Sequence, residues 1–414
     1  METAKPFNIP KMMVMEAFKL VKSNAGSAGV DEQSLGDFEK DLKDNLYKIW
    51  NRMSSGSYFP PPVKAVSIPK KSGGERILGV PTVADRIAQA VVKRMLEPRL
   101  EPKFLPDSFG YRPGKSALDA IGVTRQRCWK YDWVLEFDIK GLFDNIRHDL
   151  LMRAVRQHTD CAWVILYIER WLKAPMQMPD GSLKPRDIGT PQGGVISPIL
   201  ANLFLHYAFD VWITRKLPGN PWCRYADDGL VHCRTQREAQ AMQAALAERF
   251  KECGLELHPE KTKIVYCKDD RRKGEHANTS FDFLGYSFRA RRVKSARKGT
   301  LFTGFTPAVS KSALKEMRAE IRWLRKRSDF SLEDIAELYN PKLRGWTAYY
   351  GRFYPSAMYA VYRHFNKALV AWAMRKFKPL RRHKIRAGRF IERIAKNDCH
   401  LFYHWSIGTT GVFV

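Results

Sequence analysis

The sequence contains no pair of cysteines at C-x-x-C spacing. Its seven cysteines, Cys128, Cys161, Cys223, Cys233, Cys253, Cys267 and Cys399, are scattered and odd in number. That excludes a cysteine-rich zinc site and a disulfide-stapled secreted domain, and it suits free thiols in a reducing compartment. No apolar run reads as a membrane span. The longest, residues 195–213, is interrupted by Pro198, Asn202, His206 and Asp210 and reads as a buried helix. Residues 11–22 are amphipathic rather than the apolar core of a leader, so no signal peptide is expected. Walker and Rossmann glycine patterns, internal repeats, low-complexity segments and lipidation motifs are missing too.

Acidic residues are also scarce. Against 71 Lys and Arg stand 43 Asp and Glu, giving a net charge of +28 and a pI of about 9.8. A polyanionic partner is the simplest explanation. Residues 289–414 alone hold 28 basic and 8 acidic side chains, so the electrostatic footprint lies in the C-terminal third. A membrane surface is the rival polyanion, but no isolated amphipathic anchor supports it, and no membrane partner is expected. With 414 residues, 44% of them hydrophobic, the chain is globular and long enough for two or three domains. His400 and His404 stand four apart with no cysteine pair beside them, and read as a packed or RNA-facing pair rather than zinc ligands.

In so basic a chain, two adjacent carboxylates are conspicuous. Arg224-Tyr225-Ala226-Asp227-Asp228-Gly229 lies between Trp222-Cys223 and Leu230-Val231, the pattern of a strand, a tight turn and a second strand. On its own this reads better as a solvated hairpin turn, since Asp is a common turn residue. Adjacent carboxylates resist burial unless a divalent cation neutralises them, so the deciding feature is a third carboxylate on another apolar strand. Residues 133–139 supply it: a buried strand carrying Asp138, 89 residues before Asp227, so that any pairing must be tertiary.

The rest of the chain frames these strands. Residues 1–60 read as amphipathic helices broken around Asn24 to Gly29. Residues 63–68 and 77–80 read as a hairpin turning at Gly73-Gly74, with Lys70, Lys71 and Arg76 near its tip: a solvated turn or a cationic clamp for phosphates. A helix is expected from Asp85 to about Leu96, stopped by Pro98. Residues 176–183 suggest a hairpin turning at Asp180-Gly181. Gly189-Thr190-Pro191-Gln192-Gly193-Gly194 is a loop able to approach a ligand closely, opening the apolar helix at Val195. Beyond it come a helix at 238–253, short strands at 254–257 and 261–265, an apolar hairpin at 281–288, and a basic run at 289–298 read as a linker or phosphate contact. Helices are expected at 315–327 and 332–338. The aromatics from Trp346 to Trp372 read mainly as bundle core, with exposed Arg and Tyr among them suited to RNA backbone and bases.

Together these segments resemble a reverse transcriptase of the bacterial group II intron type. The resemblance rests on Ser67-Ile68-Pro69-Lys70 with Arg76, Gly79-Val80-Pro81-Thr82, Asp85-Arg86, Ser108 to Gly114, Phe137 to Asp144, Thr190 to Gly193, Tyr225 to Asp228, Leu257 to Lys263 and Phe283-Leu284-Gly285. Leu343-Arg344-Gly345-Trp346 and Phe402-Tyr403-His404-Trp405 resemble the maturase region. Their joint order is specific and spans nearly the whole chain. The resemblance implies an α+β right-hand polymerase. Its parts would be an N-terminal extension and fingers (1–125), a palm with an antiparallel sheet (126–290, with finger elements at 151–190), an α-helical thumb or maturase domain (291–375) and a small helical DNA-binding region (376–414). It implies RNA-directed DNA synthesis, help with splicing through binding of the group II intron RNA, DNA target and primer as partners with dNTPs as substrates, and a bacterial cytoplasmic location, at the nucleoid when on DNA. A homodimer is compatible with it. Many relatives add a C-terminal nuclease with cysteine pairs and a His-Asn-His core. This sequence shows neither, so second-strand cleavage is not expected and a primer would come from elsewhere.

The implied chemistry is a two-metal transfer. Asp138 and Asp227 bridge two Mg²⁺ ions, with Mn²⁺ as substitute, the Ile139 carbonyl as a further ligand and Asp228 at the margin, its side chain pointing away. Phe143 is the residue expected beneath the sugar, with ordinary core packing as the alternative. Lys70 and Arg76 would grip the triphosphate, Gln192 line the nucleotide pocket, Tyr225 support the primer end and Lys261 protonate pyrophosphate. Nucleic acid would be held by Arg112, Arg289, Arg291, Arg292, Arg325, Lys326, Arg344, Arg352, Arg381, Arg382, Lys384 and Arg386. The competing readings are a splicing-only maturase and a relative domesticated for phage defence, spacer acquisition or DNA repair.

Overall fold

A computed structural model describes residues 5–69, 73–294, 299–324 and 327–411; Lys70, Arg325 and Lys326 lie outside the described residues. In chain order the elements are α1 (Lys11–Ser23), α2 (Leu35–Lys40), α3 (Leu42–Ser54), β1 (Val63–Pro69), β2 (Glu75–Val80), α4 (Val83–Leu100), α5 (Ala117–Cys128), β3 (Trp133–Asp138), α6 (Leu142–Asn145), α7 (His148–His158), α8 (Ala162–Lys173), β4 (Met176–Gln177), β5 (Leu183–Lys184), α9 (Ser197–Leu205), α10 (Val211–Lys216), β6 (Trp222–Tyr225), β7 (Asp228–Cys233), α11 (Gln236–Glu252), β8 (Lys263–Tyr266), β9 (Ser280–Phe283), β10 (Tyr286–Lys294), β11 (Leu301–Val309), α12 (Lys311–Trp323), α13 (Leu332–Tyr350), α14 (Tyr359–Lys376), α15 (Lys384–Asn397) and α16 (Tyr403–Ser406). The chain divides into two compact units, one of residues 1–120 and 135–263, the other of 121–134 and 264–414. Among the described residues no helix is long and apolar enough to cross a membrane.

In the first unit, α4 is the buried spine. The Thr82 side chain caps it by accepting from the Asp85 N–H at 3.1 Å, and Ile87, Ala88, Val91, Val92 and Leu96 are all buried. It does not stop before Pro98 but runs through it to Leu100. The flanking Leu96 and Leu100 are buried, and their packing outweighs one missing N–H in the last turn. β1 and β2 pair from Lys64↔Val80 to Pro69↔Glu75, and β4 joins β1 in parallel, giving the order β2-β1-β4-β5. The central sheet places β7 between β6 and β3. Behind it Phe137 packs on Phe209 and Phe250. Gly229 lets β7 pass beneath Phe137, where a Cβ would come within 2.1 Å of the ring. The apolar stretch expected as one helix is instead α9, a π-helical turn at His206–Asp210, and α10.

The second unit holds the sheet β9-β10-β11. Leu284 at φ 51° and Gly285 at φ 77° make its first turn, matching the hairpin expected there. The basic run is not a linker: residues 289–294 continue β10 and pair with β11 from Tyr286↔Val309 to Lys294↔Leu301. α13 continues from the expected helix at 332–338 to Tyr350. One core joins α12 (Met317, Ile321), α13 (Ile335, Tyr339, Leu343), α14 (Phe365, Leu369, Trp372), α15 (Ala387, Ile391, Ala395) and the C-terminal Phe402 and Trp405.

His404 sits in that core among Tyr362, Phe365, Phe402 and Trp405, and its Nε2–H donates to Asn366 Oδ1 at 2.6 Å. Asn366 in turn donates to the Thr409 and Gly411 carbonyls. Burial pushes the His404 imidazole down from 6.5 to about 3. The unfolded chain therefore binds a proton that the folded chain refuses. The stability tied to this residue is complete above pH 6.5 and falls by about 1.4 kcal/mol per unit below it. From pH 7 to 5 the loss is about 2 kcal/mol, or about 4–8 °C in melting temperature. His404→Gln, which can still donate to Asn366, should flatten that slope; equal slopes in both proteins would remove His404 as its source.

Candidate active site

The β6–β7 hairpin pairs Arg224↔Gly229 and Tyr225↔Asp228, leaving Ala226-Asp227 as its turn. Ala226 has φ 56°, a left-handed conformation that costs a non-glycine residue about 1–3 kcal/mol. The turn is held by what surrounds it. Gly110 lies so close that a Cβ there would meet the Ala226 nitrogen at 2.5 Å. Beneath it Arg224, fully buried, donates to the Ala226 carbonyl at 3.0 Å. The same guanidinium forks onto Asp210 (Nε to Oδ1 2.8 Å, Nη2 to Oδ2 2.7 Å) and reaches Asn202 Oδ1 and Ser108 Oγ. All five of its N–H groups are spent. Arg224 stands beside the motif, and its signal was available: an arginine on an apolar strand needs a buried anion.

Asp138, Asp227 and Asp228 come together at the end of this sheet. Burial raises the Asp227 carboxyl, and the Asp138 charge adds to the rise. Asp228 goes further: burial, then Asp227 and Asp138, push it up to about 7. Asp228 is half-buried, and the charges of both other carboxylates add to the effect of burial on it. The cation present is Lys261, whose Nζ donates to Asp138 Oδ2 at 2.6 Å. The Lys140 N–H and the Asp138 carbonyl bond to Glu256 and His258 on either side of Ile139, leaving the Ile139 carbonyl out of that pairing. Residues 254–257 form only this isolated bridge, not a strand.

Three carboxylates drawn together in a poorly solvated place, with Lys261 bonded to one of them and the Arg76 charge acting on another, are a donor set that fits a hard divalent cation. Among the described residues no three His, Cys, Asp or Glu are gathered into a ligand cage. An incoming cation would have to compete with Lys261 for Asp138.

On the facing side, Arg76 is exposed on β2, and its charge is felt by both Asp227 and Tyr111. Phe143 is half-buried on α6, and its carbonyl accepts from the Thr190 N–H at 2.7 Å. Gln192 donates to Asp144 Oδ2 at 3.2 Å, and its carbonyl accepts from the Gly79 N–H at 2.9 Å. Loop 189–194 thus bridges α6 and β2. Tyr225 lies half-buried at the end of β6.

Two arginines expected to grip nucleic acid have other work. The Arg112 side chain is 5% exposed, paired with Glu101 and bonded to the Leu105 and Ser108 carbonyls; it fixes the segment that abuts the Ala226 turn. Arg291 turns back onto the Thr306 and Ser287 carbonyls, and burial lowers it to about 10. Arg289, Arg292, Arg344, Arg352, Arg381, Arg382, Lys384 and Arg386 are exposed.

Residues 68–288, more than half the chain, match the family described as reverse transcriptase (RNA-dependent DNA polymerase). The chain belongs to the reverse transcriptase family, and its fold is that of a right-hand polymerase. Within the family it is of the group II intron reverse transcriptase/maturase type: residues 314–390 match the group II intron maturase-specific domain. It is 30% identical to protein YkfC of Escherichia coli K12 over 326 residues, covering 67% of this chain and 81% of that one. It is 34% identical to the group II intron-encoded protein LtrA of Lactococcus lactis over 193 residues, covering 46% of this chain and 32% of that longer protein. The structure of telomerase from Candida albicans with a telomeric RNA fragment aligns over 92% of this chain and 69% of its own, at 12% identity and a TM-score of 0.48.

Proposed function

We propose that this protein copies group II intron RNA into DNA, using Mg²⁺ bound at Asp138, Asp227 and the Ile139 carbonyl, and that it binds the intron RNA to assist splicing and retrohoming. The observation that carries the reading is the cluster of Asp138, Asp227 and Asp228, two of them raised by burial and mutual repulsion, with Lys261 bonded to Asp138 and the Arg76 charge acting on Asp227. Bound cations would lower the pKa of the primer 3′-hydroxyl and neutralise the triphosphate. Asp138 and Asp227 hold them; Asp228 adds negative potential beside them. Arg76 faces the triphosphate, Tyr225 supports the primer end, and Lys261, once released from Asp138, is placed to meet pyrophosphate. The exposed arginines of the second unit grip RNA and DNA backbone.

The deciding assay pairs two reactions. Primer extension on an RNA template should require Mg²⁺, stop with chelator and resume with Mn²⁺. The same preparation should speed splicing of the intron RNA flanking its reading frame without dNTPs. No extension with either ion would overturn the polymerase reading, and an unchanged splicing rate the maturase reading.

Phe143 is assigned to sugar discrimination because it shares a backbone bond with loop 189–194 and follows Asp138 by five residues. Phe143→Val should lower discrimination against ribonucleotides by roughly 10- to 200-fold, the range available to pocket shape alone. Competition between dATP and ATP during extension measures it, and unchanged selectivity would return Phe143 to core packing.

A further inference from the structure

Asp85 and Gln89 stand one turn apart on the buried face of α4, each only 1% exposed. Asp85 Oδ1 accepts from Tyr58 Oη at 2.8 Å and from Trp171 Nε1 at 2.7 Å, while Oδ2 accepts from Gln89 Nε2 at 2.9 Å. The other end of Gln89 faces loop 189–194 where it enters α9: Oε1 accepts from the Val195 N–H at 2.8 Å and the Ile196 N–H at 3.3 Å. The Ile196 N–H belongs to the start of α9, where Ile196 as N-cap residue supplies no side-chain cap, and Val195 precedes it. Gly194 is needed for the approach, since a Cβ there would lie 3.2 Å from Gln89 Oε1. The loop is also tethered by backbone bonds, from the Gly79 N–H to the Gln192 carbonyl and from the Thr190 N–H to the Phe143 carbonyl, and by the side-chain contacts Gln192–Asp144, His148–Gly189 and Thr190–Ser197.

Every bond in this chain points the same way. Backbone N–H groups donate to Gln89, Gln89 donates to Asp85, and Asp85 accepts from three donors and gives none. Three donors on two carboxylate oxygens match the ionised form; burial opposes it and pushes Asp85 up to about 6. We infer that Asp85 and Gln89 are positioning residues that set loop 189–196 against the incoming deoxynucleoside triphosphate, and that the direction of their hydrogen bonds, not only their presence, is required for binding it. This rests on the reading of that loop, through Gln192, as a wall of the nucleotide pocket.

The direction makes the inference testable by exchange. Asp85→Asn places an amide N–H₂ against the Gln89 amide, where turning Gln89 over only moves the conflict to Val195 and Ile196, or, with the new amide turned over, against the Trp171 Nε1–H, which can only donate. Gln89→Glu sets two carboxylates face to face. The double variant Asp85→Asn/Gln89→Glu restores every donor–acceptor match and keeps one negative charge in the network. On the full-length protein, with an RNA template and DNA primer, each single variant should raise the dNTP KM about tenfold or more, with kcat changed by less than about threefold, since one buried mispairing costs about 1–3 kcal/mol. Primer–template affinity should not move. The double variant should return KM to within about threefold of wild type. Wild-type KM in folded single variants, or a double variant no better than the worse single, overturns the inference. A lowered melting temperature with KM untouched overturns it too. Where a single variant fails to fold, Gln89→Met decides: it removes the acceptor for Val195 and Ile196 without adding a misplaced donor, and a wild-type KM there also overturns it. Gln192→Ala in the same assay separates the two levels. If its KM is unchanged, the pocket reading itself falls; if it rises while the Asp85 and Gln89 variants stay at wild type, only the present inference falls.

Discussion

Asp227→Asn is expected to cut primer extension by about a thousandfold or more while raising the melting temperature of the metal-free protein. The two effects share one cause. Asp227 sits in the turn between β6 and β7, where burial and the Asp138 charge both oppose its ionisation, and it adds to the repulsion that pushes Asp228 up to about 7. Replacing it with an amide of the same shape removes one of three mutually repelling charges. A shift of one pKa unit corresponds to about 1.4 kcal/mol, so the apo protein should gain about 1–3 kcal/mol. The same charge is what a cation pair would need, and losing several kcal/mol of transition-state charge stabilisation gives the thousandfold. Differential scanning fluorimetry with and without Mg²⁺ tests the stability half. A variant that melts lower than wild type without metal would show that Asp227 is not strained by its neighbours, and one that extends primers normally would remove it from the site.

Arg224→Met should destabilise the fold by about 3–5 kcal/mol, the usual result of leaving one member of a buried ion pair alone. Arg224 and Asp210 are both 0% exposed. Arg224→Lys should not rescue it, because one ammonium cannot fork onto Asp210 and also reach Ser108, Asn202 and the Ala226 carbonyl. The informative variant is Arg224→Met/Asp210→Leu. With both charges gone, much of the stability should return, since apolar pairs often replace buried ion pairs without loss. Extension should stay low, because the left-handed turn at Ala226 no longer has its clamp and Asp227 is free to move. A stable double variant with wild-type extension would reduce Arg224 to a packing residue.

The parts of this site that were legible in the sequence are those whose signal is local. The strand of Asp138 shows as an apolar run, the β6–β7 turn as carboxylates between two apolar pairs, and loop 189–194 as glycines ahead of an apolar helix. What escaped was set by distant acceptors. Arg112 and Arg291 look like any exposed arginine until Glu101 and the carbonyls around them are in place. The strand at residues 289–294 is masked because four of its six side chains are basic, so apolar alternation cannot be seen. Asp85 and Gln89 did leave a trace: they stand four apart on the face of α4 that also carries Val92 and Leu96, a polar pair on a buried face in search of partners. The π-helical turn at His206–Asp210 left none.

The core shared by α12 to α15 and the residues around Trp405 bears on how such proteins diversify. The resemblance suggests a separate basic region from residue 376, a natural seam for exchange between genes. Packing denies that seam. A recombination breakpoint there would part Trp372 and Phe365 from Ile391, Phe402 and Trp405, leaving each parent half a core, so the helical bundle and the segment after it would have to be exchanged together to keep the fold.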